Sequence, residues 1–449
     1  MSILSSSALR LSNLASRWVP DAFTIACGLT VLVFALGVTA GGASVADCLV
    51  AWGDGIWTLL SFAMQMCLVV FCGYLVAVSR PAGFLLDGLA RLARGPRSAV
   101  ALVAAASMLL CWVHWGMGLI TSAVLVSRVA AREPRADFRL LVAAAYLGLG
   151  TTWHAGPSGT VPLLLATADT FMVEAGLLDA TVPLSATIFT PKILGFVGIL
   201  LLVLPLLAAA LHPPADRAVT LSPAEARRLV ELPERPAPAR TPAGRLEHTP
   251  WPNVLVGGAG LVYLGLKGSR SGLVASLDLN TVNLAFLSLA ILLHGTPAAL
   301  AAAVRDAARP LHGIVLQFPL YAGMFGIISG TDLAGRAASL LVDLSTPGTY
   351  PLVTWAYSSV LNYFVPSGGS KWVIEAPYLL EAASRLGVGV PRLAMAYAFG
   401  DMGTNLVQPF WAIPLLAVAR IEFREILGFE VILFLAYATL SACFVGLLL

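Results

Sequence analysis

Two segments of this chain carry the residues best suited to binding chemistry. Gly156-Pro157-Ser158-Gly159-Thr160 and Val365-Pro366-Ser367-Gly368-Gly369 share a Pro-Ser-Gly core, 209 residues apart from Pro157 to Pro366. Pro and Gly interrupt helices, and the backbone amides released at such a break can bind an anion. The amides of Ser158, Gly159, Ser367, Gly368 and Gly369, with the hydroxyls of Ser158, Thr160 and Ser367, form a candidate carboxylate site. The alternative at each place is a plain kink satisfied by neighbouring helices. A membrane tolerates broken backbone only where it is buried in protein or lines a cavity. Breaks at matching places in two halves point to the substrate site of a secondary transporter.

Other polar residues interrupt the apolar runs. Asn405 and Gln408 lie three apart beside Pro409, so they share one helix face next to a freed carbonyl. They either complete the substrate site or bond between helices; Thr190-Pro191-Lys192 is the expected counterpart in the first half. His114, within Trp112-Val113-His114-Trp115, either touches substrate or carries a proton, or is a neutral histidine bonded to backbone. Trp112 and Trp115 read as interface or packing aromatics. Of the acids near the breaks, Asp169, Glu174 and Glu381 read as loop residues, while Glu375 and Asp401 are coupling candidates. Lys371 stands four residues before Glu375, an i,i+4 pair. Trp372 and Phe410 are candidate walls for an apolar substrate tail.

These residues need a membrane scaffold to position them, and the composition supplies one. The 449 residues are 58% hydrophobic and 11% charged, with mean hydropathy +0.85; soluble domains carry about 25% charged residues. An all-α polytopic membrane protein follows, with room for about ten spans of roughly 20 residues. The net charge of +3 leaves no nucleic-acid footprint. The six cysteines form no CxxC pair and no zinc-like cluster with histidine, so no cofactor or metal is expected. Phe23–Ala40 is longer than a signal-peptide core of about 7–15 residues and reads as an uncleaved first span.

The chain divides at a linker. His212–Pro250 holds eight prolines and six arginines and reads as extramembrane, semi-rigid where proline-rich, with Ser222 and Glu225 as a capping box and no fold of its own. The expected parts are a first transmembrane repeat, 1–211, the linker, 212–250, and a second repeat, 251–449. Basic stretches at Arg80–Arg97 and Thr296–Arg309 are expected to correspond in the two repeats. Arginine-rich loops favour the cytoplasmic side for the linker and for the first-half clusters. An inverted repeat would put Thr296–Arg309 outside despite its two arginines, and the inverted arrangement is retained.

Gly156-Pro157-Ser158-Gly159 also fits the GxSG pattern of rhomboid-type intramembrane serine proteases, with His114 as the partner of Ser158. The second Pro-Ser-Gly copy and the two-half layout speak against it.

With these residues in view, the chain resembles the bacterial short-chain fatty acid transporter family, of the AtoE type, over nearly its whole length. The resemblance is carried by Arg17-Trp18-Val19-Pro20-Asp21, Trp52-Gly53-Asp54-Gly55, Phe62-Ala63-Met64-Gln65-Met66 and Trp115-Gly116-Met117-Gly118-Leu119. Asn280-Thr281-Val282-Asn283-Leu284, Gln317-Phe318-Pro319-Leu320-Tyr321, Val365-Pro366-Ser367-Gly368-Gly369 with Trp372-Val373-Ile374, and Gln408-Pro409-Phe410-Trp411 add to it. It implies uptake of short unbranched carboxylates such as butyrate or acetoacetate across the bacterial inner membrane. It also implies the ion-transporter superfamily architecture: two inverted repeats, two re-entrant hairpins and broken helices, with scaffold and transport domains moving as an elevator. The expected partners are a short-chain carboxylate and the lipid bilayer, with a homodimer left open. Freed carbonyls with Asn405 and Gln408 suit Na⁺ as the coupling ion; His114 or Asp401 would serve H⁺. A dicarboxylate carrier and a passive channel are the competing functions.

Overall fold

A computed structural model describes residues 22–168, 170–229, 241–364 and 368–449. Every regular element among them is helical. Ser367, Pro366 and Val365, Asp169, and the middle of the linker lie outside the described residues.

The first half runs α1 (Ala22–Thr39), α2 (Val45–Gly55), α3 (Leu60–Ala77), α4 (Arg80–Ala90), α5 (Pro96–Val113), α6 (Trp115–Arg132), α7 (Phe138–Thr151), a 3-10 turn (Trp153–Ala155), α8 (Thr160–Ala166), α9 (Phe171–Glu174) and α10 (Pro191–Ala210). Two short linker helices follow, α11 (Pro223–Arg227) and α12 (Pro242–Glu247). The second half runs α13 (Trp251–Ser271), α14 (Leu279–His294), α15 (Pro297–Ala308), α16 (His312–Gly330), α17 (Leu333–Asp343), α18 (Tyr350–Phe364), α19 (Gly368–Arg385), α20 (Val390–Gly403), a 3-10 turn (Thr404–Val407), α21 (Ile413–Ala419) and α22 (Phe423–Leu447).

Local sequence sets many of these boundaries. Side-chain oxygens of Ser79, Asp137, Asp278 and Thr296 accept the N3 amides that open α4, α7, α14 and α15. Thr190 likewise caps α10 and Pro191 opens it. Thr190-Pro191-Lys192 is thus a helix start, not the break expected within a span.

Helices α3, α5, α10, α16 and α22 are long and apolar enough to cross a membrane; α7, α14 and Ala26–Thr39 are shorter apolar segments. Among the described residues five such helices stand against about ten expected spans, in part because breaks divide apolar stretches into half-helices such as α7 with α8 and α20 with α21.

The element bounds reveal a tandem repeat in a register different from that of the Pro-Ser-Gly pair. Phe138 and Val390, which open the 14-residue helices α7 and α20, are 252 residues apart. The same shift relates α3 to α16 and α6 to α19, each within a residue at the start. Thr152, Pro157, Pro162, Leu163 and Leu164 recur under it as Thr404, Pro409, Pro414, Leu415 and Leu416. Pro157 therefore corresponds to Pro409. Gly368, at the second Pro-Ser-Gly, corresponds to Gly116 in the α5–α6 junction. The basic stretches are also mismatched: α4 pairs with α17, and α15 pairs with α2. Packing is reciprocal, with α3 against α14 and α15, and α16 against α1 and α2.

Helices α7 and α20 form the centre. Leu140 to Thr151 and Leu393 to Gly403 are buried without interruption, so neither run has a solvent-facing side. Helix α5 lies along α7 and α18 lies along α20. Small residues allow this closeness: a Cβ on Gly148 would lie 2.2 Å from the Ser107 carbonyl oxygen, and one on Gly400 2.2 Å from that of Trp355.

The linker is docked where it is described. Asp137 accepts the Val219 amide at 2.9 Å, the Phe138 amide donates to the Val219 carbonyl at 2.7 Å, and the Asp137 amide donates to His212 Nε2 at 3.0 Å. Ala226 of α11 is fully buried against the bundle.

Candidate functional site

The two central helices stop at breaks that touch each other. Asn405 Nδ2 donates to the Leu149 carbonyl at 3.2 Å, and its Oδ1 accepts Asn362 Nδ2 at 2.9 Å. Asn362 also donates to Thr404 Oγ1 at 3.0 Å. The first break is pinned to the α5–α6 junction. Trp112 Nε1 donates to the Ala155 carbonyl at 2.9 Å, and the Trp115 amide donates to Ser158 Oγ at the same distance. A Cβ on Gly156 would lie 1.9 Å from the Trp112 carbonyl oxygen, so this junction requires glycine.

A buried ionic chain crosses from one half to the other. His154 Nε2 accepts the Val161 amide at 3.1 Å, which leaves the proton of a neutral ring on Nδ1. That nitrogen lies 3.0 Å from Asp401 Oδ2. Asp401 Oδ1 lies 2.8 Å from Lys371 Nζ, which donates to the Ser358 carbonyl at 2.9 Å and hydroxyl at 3.2 Å. Lys371 thus turns to Asp401, while Glu375 accepts the Tyr357 hydroxyl at 3.3 Å. An intramembrane charge persists only when paired and hydrogen-bonded in this way.

Beside the chain lies a cavity of about 60 Å³. Thr160, Asn362, Asp401, Asn405, Gly368 and Gly369 line its polar side; Met66, Leu149, Ile314, Phe318, Trp115, Trp153 and Trp411 line the rest. The ring of Trp115 meets those of Trp153 and Trp411 edge-on, with centroids 6.0 and 5.4 Å apart. Trp115 Nε1 and Trp153 Nε1 are buried donors without a hydrogen-bond partner among the described residues. The glycines sit tight: a Cβ on Gly368 would lie 2.7 Å from Asp401 Oδ2, and one on Gly369 2.6 Å from Thr160 Cγ2.

The candidates from the sequence thus fall into groups. Thr160, Gly368, Gly369, Asn405 and Asp401 meet at the cavity. Ser158 stands behind it on the Trp115 amide, and the Gly159 amide is used by the Gly156 carbonyl at 2.8 Å. Gln408 folds back on the Phe410 amide at 2.7 Å. Trp372 is fully buried, with Nε1 on Met172 Sδ at 3.3 Å, and Phe410 stacks edge-on with Trp411. His114 caps α6 by accepting the Met117 amide at 3.2 Å, and its ring lies 3.9 Å from that of Phe286. Ser158 and His114 therefore do not form a Ser–His dyad. Sequence reasoning gave no role to His154, Trp153 and Asn362, and read Trp115 as an interface or packing aromatic. A signal for His154 was present, since an ionisable residue beside a helix break in an apolar run is a candidate by default.

Comparison with known proteins settles the family. The family model described as Short chain fatty acid transporter matches residues 3–449. The chain belongs to the short-chain fatty acid transporter family. A relative from Escherichia coli (strain K12) bearing the family's name is 34% identical over 420 residues, 93% of this chain and 94% of its own. Another, from Haemophilus influenzae (strain ATCC 51907 / DSM 11121 / KW20 / Rd), is 32% identical over 423 residues, with the same two coverages. The fold is similar to that of the YdaH transporter of Alcanivorax borkumensis, with a TM-score of 0.61 and 15% identity over 96% of this chain and 99% of that one. The family and the relatives are membrane transporters, so this protein is a transporter and not an enzyme.

Proposed function

We propose that this transporter is a secondary active carrier that moves short-chain monocarboxylates, of the butyrate or acetoacetate kind, across the bacterial inner membrane together with a cation. The observation that carries this is a pair of indole N–H groups, Trp115 Nε1 and Trp153 Nε1, that find no acceptor among the described residues and belong to side chains lining a small and mostly apolar cavity. Buried donors without acceptors are rare in folded proteins. A carboxylate supplies two acceptor oxygens, and the walls of Phe318, Ile314, Met66 and Trp411 suit a tail of a few carbons. Thr160, Asn405 and the Gly368–Gly369 backbone complete the proposed contacts. Asp401 is the charged side chain among the described lining residues, and Lys371 already neutralises it. A dicarboxylate would find no cationic subsite for its second carboxylate among the described lining residues.

The repeats are read as inverted, with α5–α6 and α18–α19 as re-entrant hairpins that move with the broken helices as an elevator. Reciprocal packing of α3 and α16 supports that reading. The test is uptake of labelled butyrate, acetoacetate and succinate into proteoliposomes under imposed Na⁺ or H⁺ gradients. Saturable, gradient-driven uptake of the monocarboxylates with succinate excluded is expected. Succinate uptake at equal efficiency, or flux without saturation, would replace this reading by a dicarboxylate carrier or a channel.

A further inference from the structure

Lys371 sits in the second repeat as a bound cation would. Its side chain is 1% exposed. The ammonium lies 2.8 Å from Asp401 Oδ1, 2.9 Å from the Ser358 carbonyl oxygen and 3.2 Å from the Ser358 hydroxyl, with the Tyr397 ring centroid 4.9 Å away. Carboxylate, carbonyl and hydroxyl oxygens are the donors that hold hard cations, and an aromatic face adds attraction for any cation. His154 holds the other Asp401 oxygen, so the carboxylate is fixed in orientation from both sides.

The repeat supplies an internal comparison. Under the 252-residue shift, Lys371, Asp401 and Ser358 correspond to Leu119, Leu149 and Ala106. The first repeat therefore has apolar side chains at the positions that build this set. The Lys371–Asp401 pair also borders two cavities. Asp401 lines the small one. Lys371 lines an apolar cavity of about 320 Å³ between α1, α16, α17, α18 and α19, together with Tyr357, Glu375 and Tyr378. Shortening Lys371 would leave an oxygen-lined hole bordering that larger space.

We propose that Lys371 is a tethered cation filling a monovalent-cation site built by Asp401 and Ser358, so that the transporter requires no sodium ion. For coupling, the consequence rests on the carrier reading above: a cation bonded into α19 cannot be exchanged, and the coupling cation is then the proton. The titratable groups that face Lys371 are Asp401, Glu375 and Tyr397, with His154 behind Asp401.

The decisive measurement needs no transport. The melting temperature of detergent-purified protein is compared in sodium, lithium, methylammonium and choline chloride at equal ionic strength. Wild type is expected to melt at one temperature in all four. Lys371→Ala is expected to melt lower in choline and to recover saturably in sodium or methylammonium. A saturable sodium-specific rise in wild type overturns the proposal, and so does a Lys371→Ala protein without cation-specific recovery. Where Lys371→Ala does not fold, the wild-type sodium series decides alone, joined by Lys371→Met, which fills the hole and is expected to lack cation recovery. In proteoliposomes, wild-type butyrate uptake at fixed pH is expected to be equal in sodium and choline. Sodium-dependent uptake sinks the tethered cation, whereas absence of uptake of any monocarboxylate sinks the carrier reading and leaves the melting result standing.

Discussion

His154 and Asp401 stand 247 residues apart in the chain and 3.0 Å apart in the fold. The contact joins the break of the first repeat to the central helix of the second, on the wall of the cavity. His154→Ala would leave Asp401 Oδ2 and the Val161 amide unpaired, at a cost of about 1–3 kcal/mol for each buried group. The expected result is a fall of several degrees in melting temperature and loss of most uptake. A variant with wild-type melting and uptake would remove the chain from the site.

Trp115→Phe and Trp153→Phe each delete an indole N–H while keeping an aromatic ring. A hydrogen bond to a charged group contributes roughly 1.5–3 kcal/mol. The apparent KM for butyrate is therefore expected to rise at least about tenfold in each variant. Initial-rate uptake checks this, and an unchanged KM in both variants would detach the indoles from the carboxylate.

Gly369→Ala brings a Cβ to 2.6 Å from Thr160 Cγ2 and 3.0 Å from Phe62 Cζ. These are side-chain atoms that can shift, at a typical overpacking cost of about 1–3 kcal/mol. The protein should stay folded while uptake drops severely, because the shift is taken up at the cavity. Gly88→Ala, where a Cβ meets nothing within 4 Å, is the matched control and should transport normally.

Asp137 caps α7 at the Leu140 amide and holds the linker at the Val219 amide, at 3.0 and 2.9 Å. Asp137→Ala removes both bonds and leaves Arg139 without its partner at 2.8 Å. A loss of about 1–3 kcal/mol in stability is expected from the cap and the stranded amide, with no change in substrate KM. A large rise in KM would show that the linker reaches the transport path.

Much of this architecture was legible in the residues alone. Apolar composition determined a helical membrane protein, because backbone polar groups in lipid must be satisfied within the segment. Pro157, Gly159 and Pro409 determined where helices stop. The resemblance of Trp115-Gly116-Met117-Gly118 and Gln408-Pro409-Phe410-Trp411 to the short-chain fatty acid transporters indicated the family that the whole-chain match establishes. Tertiary structure decided the rest. The repeated Pro-Ser-Gly looked like the symmetric pair, yet the shift that aligns α7 with α20 is 252 residues and pairs Pro157 with Pro409 and Gly368 with Gly116. A three-residue string of turn formers recurs readily, whereas a run of helix lengths in one register does not. Lys371 had Glu375 as its nearest acid in sequence, but the packing of α19 beside α20 presents it to Asp401. The sequence marks Ser158 and Asn405 as polar groups beside breaks. What each one bonds to, the Trp115 amide and the Leu149 carbonyl, depends on helices distant in the chain and could arise only when the two breaks came together.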